Sequence, residues 1–144
     1  MASSAVLYTP EILALATGLS RFSWNETLQW HGEARSQTCG STVRLGLACD
    51  ADGRIAQVGV RAHACAIGQA AAALFAQGAE GADRARIAMS GAAMVRWLAG
   101  TGSMPDWPDI AALDAARAYP ARHGAILLAW RAALAALPSG ENPG

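Results

Sequence analysis

Three cysteines and three histidines carry most of the chemical possibilities of this 144-residue chain. Cys39 lies in Thr38-Cys39-Gly40-Ser41, between two segments that read as strands, and Gly40 permits the close backbone approach that a metal or persulfide site needs. Cys65 lies in Ala64-Cys65-Ala66-Ile67, where a strand pattern gives way to a helical one. A cysteine at a helix N-terminus feels unpaired N–H groups and the helix dipole, which stabilise its thiolate and raise its reactivity. Free cysteine is equally common as a small buried hydrophobe, and two isolated cysteines leave both readings open. Cys49 shares the face of Val43, Leu45 and Leu47 and is expected in the core. His63 stands two residues before Cys65, so on an extended chain both side chains share a face. His31 follows Trp30 in an early strand and has no informative spacing.

These residues depend on a simple order of elements. Thr9-Pro10-Glu11 is a helix start, with Thr as cap, Pro at the first position and Glu at the positive end of the dipole, and the helix runs to about Gly18. Arg21 to Asn25 reads as loop and Thr27 to Arg35 as a strand. Val43, Leu45, Leu47 and Cys49 alternate with smaller or polar residues, the period of a half-buried strand. Asp50-Ala51-Asp52-Gly53 is a turn, and Ile55 to Ala62 completes a hairpin. From Ala66 the spacing of Ile67, Ala70, Ala71, Leu74 and Phe75 is helical, with Gly78 as the stop. Ile87, Gly91, Met94, Val95 and Leu98 form another helical stripe. Gly100 to Pro108 is a loop, Asp109 to Ala116 a short helix, and Tyr119-Pro120 opens a last helix carrying Leu127, Trp130, Leu134 and Leu137. Three strands followed by helices predict an α+β fold, a three-stranded antiparallel sheet with helices packed on one face. Residues 1–138 are expected to form one domain and 139–144 a frayed tail.

Composition narrows the function classes. Formal net charge is zero and 15% of residues are charged, so the basic footprint of a nucleic-acid binder is missing. All eleven basic residues are arginine, which excludes Schiff-base chemistry and a lysine-bearing phosphate loop. The opening residues show no basic stretch followed by an apolar run. The longest apolar stretch, Gly124 to Leu137, is interrupted by Arg131 and falls short of the about 20 residues that span a bilayer. No membrane association and a cytoplasmic location are therefore expected. An odd number of cysteines argues for thiol or metal chemistry over a disulfide framework.

Several segments together resemble the NifU/IscU/SufU family of iron–sulfur cluster assembly scaffolds. Thr38-Cys39-Gly40-Ser41-Thr42-Val43 looks like the family's first motif, Cys-Gly-Asp followed by a strand. Asp50-Ala51-Asp52-Gly53-Arg54-Ile55 resembles the hairpin turn after it. His63-Ala64-Cys65-Ala66-Ile67-Gly68-Gln69-Ala70 resembles the second motif, Gly-Cys-(Ser/Ala)-Ile-Ser-Gln-Ala-Ser. Trp107 to Leu113, then Tyr119-Pro120-Ala121-Arg122 and Leu128-Ala129-Trp130-Arg131, resemble the SufU branch in particular, with its insertion before a Phe-Pro-(Ala/Val)-Arg motif. The likeness runs from about Tyr8 to Leu137.

The resemblance implies a NifU/SufE-like fold, no enzymatic activity, a transient [2Fe-2S] cluster or zinc, and two kinds of partner, a cysteine desulfurase and recipient apo-proteins. It also implies a ligand set of three cysteines and an aspartate, with a histidine beside the third cysteine in the IscU branch. Here Cys39 and Cys65 occupy the first two positions, Ser41 replaces the aspartate, Ala125 the third cysteine and Gly124 the histidine. Two thiols remain where zinc or a cluster takes four ligands. The chaperone-recognition motif of the IscU branch, Leu-Pro-Pro-Val-Lys, is replaced by Ala118-Tyr119-Pro120-Ala121-Arg122. His123 falls in the first turn of the last helix, where a cation opposes the dipole, so its imidazole is expected neutral, the form that binds metal. Cys39, Cys65, His63 and His123 would then supply a Cys2His2 set. Arg122 and the free N–H groups of that turn would support a thiolate without a further ligand. Three functions stay open: a scaffold with weak or absent metal binding, a persulfide relay that needs only one reactive thiol, and a non-catalytic interaction module.

Overall fold

The computed structural model describes residues 8–37 and 40–138, so the expected tail at 139–144 lies outside the described residues. Helix α1 (Pro10–Gly18) begins as local chemistry dictates: the Thr9 hydroxyl accepts from the Ile12 N–H at 3.2 Å. A 3-10 turn (Leu19–Arg21) leads into a segment that crosses to the sheet. Strand β1 (Trp30–Arg35) starts three residues later than its sequence pattern suggests. The Asn25 carboxamide accepts from both the Thr27 N–H (2.9 Å) and the Thr27 hydroxyl (2.6 Å), folding that stretch into an Asx turn.

Strands β2 (Thr42–Cys49) and β3 (Ile55–His63) form the predicted hairpin, and the sheet is an antiparallel meander of order β1-β2-β3. Helices α2 (Ala66–Ala79), α3 (Arg84–Leu98) and α4 (His123–Ala136) follow. Helix α4 lies over β1 and β2, and α2 lies beside β3, so both cover the face that carries Val43, Leu45, Leu47 and Val60. Helix α1 packs on α2, and α3 packs on α4. The closest approach is at Gly32, where an added Cβ would lie 2.2 Å from the Ala132 carbonyl oxygen. Only glycine lets β1 sit under α4.

Two 3-10 segments precede the last helix. Asp109 adopts φ +60°, and the short helix expected over Asp109 to Ala116 is the 3-10 helix Ile110–Ala118. Pro120–Arg122 is another 3-10 turn, so α4 begins at His123 and not at Tyr119-Pro120. Trp107 anchors the preceding loop in the core. Its indole N–H donates to the Leu74 carbonyl at 2.9 Å, and its ring meets Phe75 and Trp130 at centroid distances of 5.5 and 5.4 Å.

Candidate thiol site

The hairpin register brings the two cysteine-bearing motifs to one end of the sheet. Thr42, the first residue of β2, pairs with His63, the last of β3. The loop entering β2 is closed by a hydrogen bond from the Ser36 N–H to the Ser41 carbonyl at 2.8 Å. Ser41 is buried. Gly40 has φ +72°, and no described atom lies within 4 Å of where its Cβ would stand. The positive φ favours glycine there. Cys39 lies outside the described residues.

Cys65 caps α2. Its backbone is extended (φ −65°, ψ 169°), its carbonyl accepts the first helical bond from Gln69 N–H at 2.9 Å, and its side chain makes no capping hydrogen bond. The half-buried thiol packs against the edge of the core. The Gln69 carboxamide donates to the Ala64 carbonyl at 2.9 Å and so pins the turn that presents Cys65. Gln69 carries no titratable group and sits outside the usual metal-ligand types, so only its place in the Ile67-Gly68-Gln69 motif pointed to it. One turn into the helix, a Cβ on Gly68 would lie 2.9 Å from the Ala64 Cβ and 3.4 Å from the Ala125 Cβ. The first turns of α2 and α4 are therefore in contact, and Ala125 presents a buried methyl group beside the turn that carries Cys65.

The histidines are placed differently from one another and from Cys65. Alternation along β3 puts His63 on the outer face in line with Arg61, exposed, whereas Cys65 turns toward the core. The shared face expected for the pair ends where β3 ends. His123 is half-buried, and its Nε2 stands 3.2 Å from the carbonyls of Ala116 and Arg117. Carbonyl oxygens only accept, so Nε2 carries the proton and Nδ1 alone is open to a metal. His123 thereby ties the start of α4 to the end of the 3-10 helix. Arg122 is half-buried and makes no ion pair among the described residues. Among the described residues, no group of three or more His, Cys, Asp or Glu side chains could hold a metal ion.

Cys49 lies at the other end of the hairpin. The register shift between Ala48 and Cys49 leaves the extra residue, Ala56, on β3; Cys49 pairs with buried Ile55 and packs half-buried at the edge of the core, where the sequence pattern placed it fully inside. It lines an open cleft of about 690 Å³ with Trp30, Asp50 and Arg84. Burial and the Asp50 carboxylate push its thiol pKa above the ordinary value.

The same fold is found in solved structures of two proteins. One is a nitrogen-fixing NifU-like protein (N-terminal) from Brucella abortus, with TM-score 0.81 and 29% sequence identity over 90% of each chain. The other, from Fervidobacterium islandicum AW-1, is a putative iron–sulfur cluster assembly scaffold protein for the SUF system; it has TM-score 0.83 and 22% identity over 94% of this chain and all of that one. The chain is NifU/SufU-like. No protein-family model matches the sequence, and no curated protein does. Across this NifU/SufU-like chain the four ligand positions implied by resemblance hold Cys39, Cys65, a buried hydroxyl at Ser41 and a buried methyl at Ala125. That donor set does not fit a resident four-ligand metal. No helix among the described residues is long and apolar enough to cross a membrane.

Proposed function

We propose that this chain serves iron–sulfur cluster assembly as a scaffold-derived carrier that holds metal or cluster weakly or not at all. The carrying observation is the contact between the first turns of α2 and α4, with Gly68 against Ala125 beside Cys65. It supports a thiol-bearing end of the NifU/SufU kind whose third ligand side chain is missing. Iron, sulfide or a cluster would be cargo rather than a resident cofactor. The partners in this reading are a cysteine desulfurase and recipient apo-proteins, in the cytoplasm, and the chain itself catalyses no turnover. Residues 1–138 act as one domain.

A persulfide relay is the second reading, favoured by Cys65 at the N-terminus of α2. The Cys65 thiolate would attack the outer sulfur of a desulfurase persulfide, forming a new S–S bond as the old one breaks. The desulfurase thiolate leaves, and no net oxidation occurs. Anaerobic reconstitution with iron and sulfide, followed by metal and sulfide analysis, tests the first reading. Substoichiometric, easily chelated iron is expected, and tightly held stoichiometric metal would overturn it. Persulfide trapping on Cys39→Ser and Cys65→Ser variants tests the second. Transfer that survives the loss of both thiols would eliminate it.

A further inference from the structure

The outer face of the sheet, opposite α2 and α4, carries charge that no ion pair among the described residues neutralises. The strand register sets three rows across it: Arg35–Thr42–His63, Glu33–Arg44–Arg61 and His31–Gly46–Gly59. Arg35, Arg61, His63, His31 and Glu33 are exposed and Arg44 is half-buried. Arg44 and Arg61 are direct cross-strand partners, an arrangement in which like charges destabilise a sheet. Trp24, from the crossing segment, lies across the pair, with the two guanidinium carbons 4.7 and 5.1 Å from its ring centroid. The π face offsets part of the repulsion without removing the charge. Glu33 is the register partner of Arg44, yet the ion pairs formed among the described residues are Arg86–Asp106 and Arg117–Asp114, both elsewhere. Three arginines against one glutamate leave two positive charges on the strands, and Arg21 and Glu26 of the crossing segment cancel, in a chain of zero formal net charge.

We propose that this face docks a partner protein through a carboxylate-rich surface. A paired set of guanidinium forks matches carboxylates in bidentate geometry. Arginine beside an aromatic ring is also the composition that dominates protein-interface energetics. Nucleic acid fits less well: its affinity grows with the number of phosphates neutralised, and here three arginines and one glutamate leave only two net charges. The Arg35–Thr42–His63 row lies at the sheet end from which the chain runs on to Cys65, so a partner seated there adjoins the thiol site. The docking face stands whether or not Cys65 carries sulfur.

The experiment is titration of the full chain with a fluorescein-labelled poly-glutamate peptide at low ionic strength, read by anisotropy and by amide shifts. Binding should weaken with salt, and shifts should gather on Arg35, Arg44 and Arg61 and spare Arg86 and Arg117. Arg44→Gln/Arg61→Gln should weaken binding about tenfold and Arg35→Gln about threefold, while Arg131→Gln on α4 leaves it unchanged. Arg35→Gln and the shift map keep the test decisive if the double variant folds poorly. Shifts elsewhere, an equal loss in Arg131→Gln, no binding, or tighter binding of a single-stranded DNA oligomer would each overturn the proposal.

Discussion

Cys65 and Cys49 lie at opposite ends of the β2–β3 hairpin, about 24 Å apart by the eight residues of β2. At one end, β3 hands over to α2, so Cys65 stands at the helix N-cap, one turn from where Gly68 meets Ala125 of α4. At the other, the chain turns through Asp50, and Cys49 meets a carboxylate and partial burial that hold it as a neutral thiol. The strand pattern is similar on both sides. A helix start follows Cys65 and an acidic turn follows Cys49.

The sharpest way to break that contrast is Cys65→Ser against Cys49→Ser. Persulfide acceptance and residual iron uptake should fall to background in the first and stay within about twofold of the parent in the second, measured by persulfide labelling and metal analysis. Equal losses would make the two ends equivalent. Next comes repair of the missing ligand. Ala125→Cys places a thiol beside the turn that bears Cys65, and zinc should bind at least about tenfold tighter, a gain of about 1.4 kcal/mol, with Ser41→Asp adding less because a buried carboxylate is costly until it meets metal. If neither variant gains affinity, Ala125 is not the third ligand position. A third change acts through packing: Gly68→Ala should cost about 1–3 kcal/mol in denaturant melts, since its Cβ meets Ala64 at 2.9 Å, and should lower Cys65 labelling selectivity while leaving Cys49 untouched.

The smallest effect concerns Cys49 and pH. Its pKa is raised in the fold, so the neutral thiol is favoured; that stability is complete below the unfolded value of about 8.5 and declines as pH rises through the folded value. Asp50→Asn should shift Cys49 alkylation toward lower pH, and Cys49→Ser should flatten the alkaline decline. Alkylation of Cys49 at lower pH than a free cysteine would contradict the contrast.

Much of the scaffold can be read locally. The Thr9-Pro10-Glu11 start, the alternation of Val43, Leu45 and Leu47, and the helical spacing from Ile67 to Phe75 each arise from interactions within a few residues, and each element forms where those rules place it. The errors arise at the ends of elements. Asn25 delays β1, Cys49 at the end of β2 reaches only the edge of the core, and the 3-10 turn Pro120–Arg122 moves the start of α4 to His123.

The site divides in the same way. Residue types single out Cys39 and Cys65, because ligand chemistry depends on which atoms a side chain carries, and the family resemblance adds Ser41 and Ala125 as positions where a ligand is replaced. The approach of the Cys65 turn to Ala125 depends on two helices separated by more than forty residues of chain, whose first turns meet where Gly68 packs on Ala125. The fate of the histidines was likewise a tertiary matter. His63 faces outward because β3 keeps its alternation to its last residue, and the Nε2 of His123 is engaged because the 3-10 helix ends beneath it. Short-range order comes from backbone sterics and local hydrogen bonds, whereas proximity across the chain comes from how buried surfaces fit, and no single segment contains that information.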